Sequence, residues 1–92
     1  MIGSRMAIGW KTVQPLAKAT ANPGGGIYLR SDDGEILVFA RRWRSGQPGD
    51  RRYTNFFFAV DYSTGSPVSI GKETVNLVRL KSQVDAHRAS QD

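Results

Sequence analysis

Apolar and polar residues alternate with a period of two through the middle of this chain, a pattern that predicts strands. Residues 27–30 (IYLR) fit a first short strand. Ser31-Asp32-Asp33-Gly34 is a hairpin signal, because Asp-Gly supplies the positive φ angles of a tight primed turn. Residues 35–44 (EILVFARRWR) fit a second strand and 45–50 (SGQPGD) a loop. Residues 51–62 (RRYTNFFFAVDY) fit a third strand, long enough to expect a bulge or strong twist. Residues 63–66 are another turn, and Pro67 then permits only a short or edge strand through Ile70.

The two ends are less regular. Residues 7–13 (AIGWKTV) fit a short strand with Ile8 and Trp10 on one face. Pro15 can open a short helix carrying Leu16, Ala17 and Ala19, and Pro23 with Gly24-Gly25-Gly26 ends it. The triple glycine lacks the Lys-Ser/Thr of a phosphate loop and reads as a flexible linker. Residues 71–88 have two readings. As a helix capped at Ser69 or Gly71, Leu77, Leu80 and Val84 fall on one face beside Val78. Glu73 then suits the N-terminal turn, Asn76, Arg79 and Gln83 face water with it, and Lys81 pairs with Asp85. As a strand, 74–80 (TVNLVRL) has high β propensity. The helix is preferred because the apolar spacing continues through Val84.

The expected fold is α+β or mainly β. It is an antiparallel sheet of four to five strands with one C-terminal helix packed on one face. The alternative is a small six-stranded β-barrel closed by 74–80. Residues 7–88 form one small domain, 1–6 lie outside the fold as disordered or added residues, and 89–92 form a frayed tail. In the third strand, Phe56, Phe58, Val60 and Tyr62 are expected on the core face, with Tyr53, Asn55, Phe57, Ala59 and Asp61 opposite. Phe57 is expected to be buried all the same. In the second strand both faces turn from apolar to basic after Ala40, so its far end should leave the core as a hairpin arm.

At 92 residues the chain buries only a modest core, and self-association as a homodimer would help it. The absence of cysteine excludes disulfides and thiolate chemistry and fits a reducing, cytoplasmic setting. No apolar run approaches the roughly 20 residues that span a bilayer, the start lacks a signal peptide's apolar stretch, and no membrane partner is expected. Net charge is +5, with Arg and Lys together at 13 against 8 Asp and Glu. Arginine dominates, which favours forked contacts with phosphate or carboxylate.

That charge is concentrated. Arg41, Arg42, Arg44, Arg51 and Arg52 lie across the 45–50 loop from one another, with Trp43 and Tyr53 between them. Phosphates would relieve the repulsion among them, and the aromatic rings offer stacking to bases. A charged track with π faces is what sequence-tolerant binding of single-stranded DNA or RNA requires. Tyr28, with Arg30 beside it, could extend the platform. The expected function is therefore a small non-enzymatic module that binds single-stranded nucleic acid or RNA. The alternative is a protein-binding accessory or inhibitor of a mobile element, using the same Trp/Arg hairpin as its interface. Solvated charge is the plain alternative to both.

Enzyme readings are thin, and neither cofactor nor metal is expected. His87 is the one histidine and falls where fraying is expected to begin, over 87–92. Asp32, Asp33 and Glu35 sit at a turn, where Asp is expected for its backbone chemistry and one turn rarely supplies enough oxygens for a divalent ion. A metal-free ribonuclease built on Arg, Tyr and Lys has no motif to pick it out.

Over residues 27–88 the order of elements resembles the Whirly class of single-stranded-DNA-binding domains. GIYLRSDDGEILVFARRW matches as first hairpin, and SPVSIGKETVNLVRLKSQV as last strand plus helix. The resemblance lies in element order and charge, and it implies a curved sheet, dimerisation and single-strand binding. The long third strand, Pro67 and the N-terminal arm depart from the pattern, and no residue role is carried over.

Overall fold

The computed structural model describes residues 8–44 and 46–91. In chain order the elements are β1 (Trp10–Thr12), α1 (Leu16–Ala21), β2 (Gly26–Ser31), β3 (Ile36–Arg44), β4 (Tyr53–Asp61), β5 (Val68–Thr74) and α2 (Leu77–Ser90). The five strands make one antiparallel sheet in the order β1-β2-β3-β4-β5. Its two edges do not meet, so the six-stranded barrel does not form. The fold is α+β, with the C-terminal helix packed on one face. The expected residues 1–6 and Asp92 lie outside the described residues.

Each turn follows its glycine. The 31–34 turn is hydrogen-bonded from Gly34 N to Ser31 O at 2.8 Å, and only Gly34 has a positive φ. A primed turn needs positive φ earlier, so this is an ordinary turn followed by a left-handed glycine. Gly24-Gly25-Gly26 is not a flexible linker. Gly25, at φ +97, lies against β3 so closely that a Cβ would fall 2.8 Å from Ala40 O and 2.9 Å from Arg41 Cβ.

β4 runs nine residues in unbroken register with β3, without the bulge expected of it. The irregularities lie in its neighbours: one extra residue in β2 at Tyr28, and two in β5 between Ile70 and Thr74. β5 is the edge strand that Pro67 predicts, but it runs on to Thr74. The helix therefore starts later than Ser69 or Gly71. Its N-cap is Asn76, whose side chain accepts from Arg79 N at 3.1 Å. Leu80 and Val84 are buried as the spacing predicts, Leu77 is half-buried, and Val78 is exposed. Asp85 accepts Ile8 N at 3.1 Å rather than pairing with Lys81.

The core lies between the sheet and the two helices. It is built from Ala19 of α1, Leu80 and Val84 of α2, and Leu29, Ile36, Val38, Ala40, Phe57, Ala59 and Ile70 of the sheet, with Ile8 and Trp10 against it. This reverses the expectation for β4. Phe57, Ala59 and Asp61 face the helices, while Phe56, Phe58 and Val60 lie on the other face and are only half-buried. Both sets are apolar, so alternation alone cannot choose between them. Two features of the fold choose instead. Ala59 opposite Val38 leaves room for the helix side chains, and buried Asp61 finds its donors in the turn after β4, on α2 and at Gln91 just beyond it.

Those donors tie the C-terminal end of α2 to the sheet. His87 and Gln91 reach Asp61 Oδ2 at 2.8 Å and 3.3 Å, and Arg88 donates to Asp33 at 2.7 Å. Because an ionised carboxylate only accepts, the imidazole Nε2–H is the donor.

Candidate nucleic-acid interface

The β3–β4 ladder outlasts the strands beside it. β2 pairs with β3 only as far as Ala40, and β5 reaches β4 only as far as Phe57. Four further pairs, Arg41↔Phe56, Arg42↔Asn55, Trp43↔Thr54 and Arg44↔Tyr53, continue as a two-stranded ribbon. The molecule consequently measures 56 × 22 × 21 Å. The arm forms where the sequence turns basic, because arginine side chains offer the helices nothing apolar to cover.

The ribbon has two faces, and its residues divide between them, apart from those of the loop. Arg42, Arg44, Tyr53 and Asn55 continue the helix side; Arg41, Trp43, Thr54 and Phe56 continue the bare side. Arg51 and Arg52 belong to the loop, not to β4. The arginines are not equivalent. Arg41 makes two 2.6 Å hydrogen bonds to Glu73 and lies 5.0 Å over the Phe56 ring. Arg52 is likewise forked onto Asp50, at 3.0 Å and 3.1 Å. Hydrogen bonding to these carboxylates raises the pKa of both arginines, and Arg41 lowers that of Glu73. Arg42 stacks on Tyr53 with its guanidinium 4.0 Å from the ring centroid, and Arg44 lies 5.9 Å from the same ring. The Nε of Arg42 and the Oδ1 of its register partner Asn55 are both buried without a hydrogen bond.

Arg44 and Arg51 are exposed and make no ion pair among the described residues. Trp43 is 50% exposed, with no arginine of the described residues on its ring. Beside it, Trp43, Asp50, Arg52, Tyr53 and Thr54 line an open hollow of about 330 Å³ at the tip of the arm.

The remaining two candidates stand apart. Tyr28 turns to the helix side, 6.1 Å from the Phe57 ring, and is no part of an exposed platform. Arg30 is exposed on the bare face, but it pairs in register with Leu37 at the opposite end of β3 from Trp43. Six residues of strand separate those positions, roughly 20 Å.

Two acidic neighbours of the arginines fall outside the sequence reading of the arm. The helix pattern claims Glu73, and only the β5 bulge brings it to Arg41. Asp50 lies two residues from Arg52, a spacing that could have announced the pair. The acidic cluster is structural: Asp33 accepts from Ser31 Oγ at 2.7 Å and Glu35 N at 3.0 Å as well as from Arg88. Arg88 in the first place, then these two bonds against the cost of burial, hold its pKa at about 2. Among the described residues no group of His, Cys, Asp or Glu is placed to hold a metal ion, and no helix is long and apolar enough to cross a membrane.

No protein-family model matches the chain, and no curated protein or solved structure gives a match. The likeness to the Whirly class stays one of element order and charge, and the functional reading rests on the arm itself.

Proposed function

We propose that this protein is a binding module for single-stranded DNA or RNA, and that the β3–β4 arm is its contact surface. The observation that carries the reading is the tip: a half-exposed tryptophan beside an open hollow, with Arg44 and Arg51, exposed and without an ion pair among the described residues, next to the hollow's Trp43 and Arg52 in the chain. Trp43 offers a ring face to a base, which is the sequence-tolerant part of single-strand recognition. Arg44 and Arg51 supply phosphate contacts without first breaking an ion pair. Arg41 and Arg52 contribute charge already shared with Glu73 and Asp50, and Arg42 orders Tyr53.

The test is fluorescence anisotropy with a labelled single-stranded oligonucleotide at several salt concentrations, with duplex as competitor. Binding should prefer the single strand and weaken linearly in log salt, with a slope of about 0.7 per phosphate neutralised. Trp43→Ala should weaken it by about 1–3 kcal/mol. No binding at low salt would overturn the proposal and leave the Trp/Arg tip to be tested as a contact surface for protein.

A further inference from the structure

The face of the sheet away from the helices carries no covering element among the described residues, yet it is not polar. Leu37, Phe39, Phe56, Phe58 and Val60 lie on it, all half-buried. Phe39 and Phe58 stack with ring centroids 5.0 Å apart and planes within 7°. A hollow of about 470 Å³ opens in the middle, with Phe58, Ser69 and Gly71 along it and the Arg41–Glu73 pair at its side. Trp43 belongs to this same face, so it, Phe56 with Arg41 over its ring, and the Phe39–Phe58 pair follow one another from the arm onto the sheet.

The charges at the far edge are unexpected for a face left to water. Lys11 and Arg30 are directly opposite each other in the β1–β2 register, both exposed, and neither has an ion pair among the described residues. Like charges placed so destabilise a sheet. Glu73, the acid beside the hollow, is already neutralised by Arg41. Two copies of a chain of net charge +5 would also repel each other across this face. A polyanion with apolar, stackable groups meets both features at once.

We infer that the open sheet face is a second segment of the nucleic-acid track. An unpaired strand passes from Trp43 over Phe56 and the Phe39–Phe58 ring pair to Arg30 and Lys11, bases against the rings and phosphates against the cations. This inference rests on the nucleic-acid reading of the arm and extends it by roughly 20 Å. It also gives Arg30 a role that its distance from the arm tip otherwise denies it.

The experiment compares the wild-type chain with three variants: Trp43→Ala, Phe58→Leu, and Lys11→Ala combined with Arg30→Ala. Each is titrated with single-stranded oligonucleotides of increasing length, at several salt concentrations. Affinity should rise with length until the strand covers both segments. The double variant should lower the salt slope by about 0.7 for each cation removed, and Phe58→Leu should weaken binding about fivefold or more. Lys11 and Arg30 are surface residues, so the double variant decides the matter even if Phe58→Leu folds poorly. If Trp43→Ala weakens binding while the double variant binds like the wild type, the sheet segment is wrong and the arm stands. If the wild type binds no single strand, both fall. A free protein that sediments as a dimer and binds as that dimer, while Phe58→Leu sediments as a monomer, would likewise overturn the sheet segment.

Discussion

Arginine count is a poor guide to available charge. Two of the five arginines around the 45–50 loop are forked onto carboxylates and one lies on a tyrosine ring. The unpaired ones, Arg44 and Arg51, should therefore lose more binding on replacement by alanine than Arg41 or Arg52. Glu73→Gln is the complementary change. Freeing Arg41 should steepen the salt dependence of oligonucleotide binding by about 0.7 in log–log slope, read by anisotropy against wild type. A residue-scale stability prediction concerns Asp61. Its side chain is 2% exposed and collects Ser63, His87 and Gln91. Asp61→Ala leaves those donors unsatisfied, at a cost of about 1–3 kcal/mol in urea unfolding. Nothing in the local sequence announced this, because Asp61 reads as the end of a strand and its partners come from a helix 26 and 30 residues away.

At the scale of elements, the turns and the arm were legible, because Gly, Pro and Asp punctuate them and because the change from apolar to basic after Ala40 marks where β3 leaves the core. The orientation of β4 was not legible. Phe56-Phe57-Phe58 puts apolar side chains on both faces, and only the helices, docked from elsewhere in the chain, break the tie. The start of α2 was also misplaced, since 71–74 satisfies strand and helix patterns alike. Gly71 at φ +66 supports the β5 bulge, and Asn76 begins the helix. Asn76→Ala should cost about 1 kcal/mol, whereas Ser69→Ala, at the cap position the spacing suggested, should change the urea midpoint little. Equal effects from both would mean that the helix does not begin at Asn76.

For the molecule as a whole, acid stability depends on how the end of α2 is fastened to the sheet. Asp33 holds Arg88, and Asp61 holds His87 and Gln91. Burial raises the pKa of Asp61 and is the largest single influence on it. The hydrogen bonds from Ser63, His87 and Gln91 together outweigh it and hold the carboxyl well below the usual range. Asp33 is held at about 2, chiefly by Arg88. Both shifts are downward, so both carboxylates bind protons more readily in the unfolded chain. Their stabilisation is complete above an unfolded pKa of about 3.9. It is lost as pH falls from there, through about 2 for Asp33 and lower still for Asp61. Asp33 is 44% exposed and its ion pair is screened by water, so Asp61 should dominate. Protonation also raises a net charge that is already +5, adding repulsion as the fastening weakens. The urea midpoint should therefore be insensitive to these two groups above pH about 4 and fall steeply below it. Asp61→Asn should lower the midpoint near neutral pH and flatten the acid limb, whereas Asp33→Asn should change that limb much less. An acid limb equally steep in Asp61→Asn would show that some other carboxylate governs the loss.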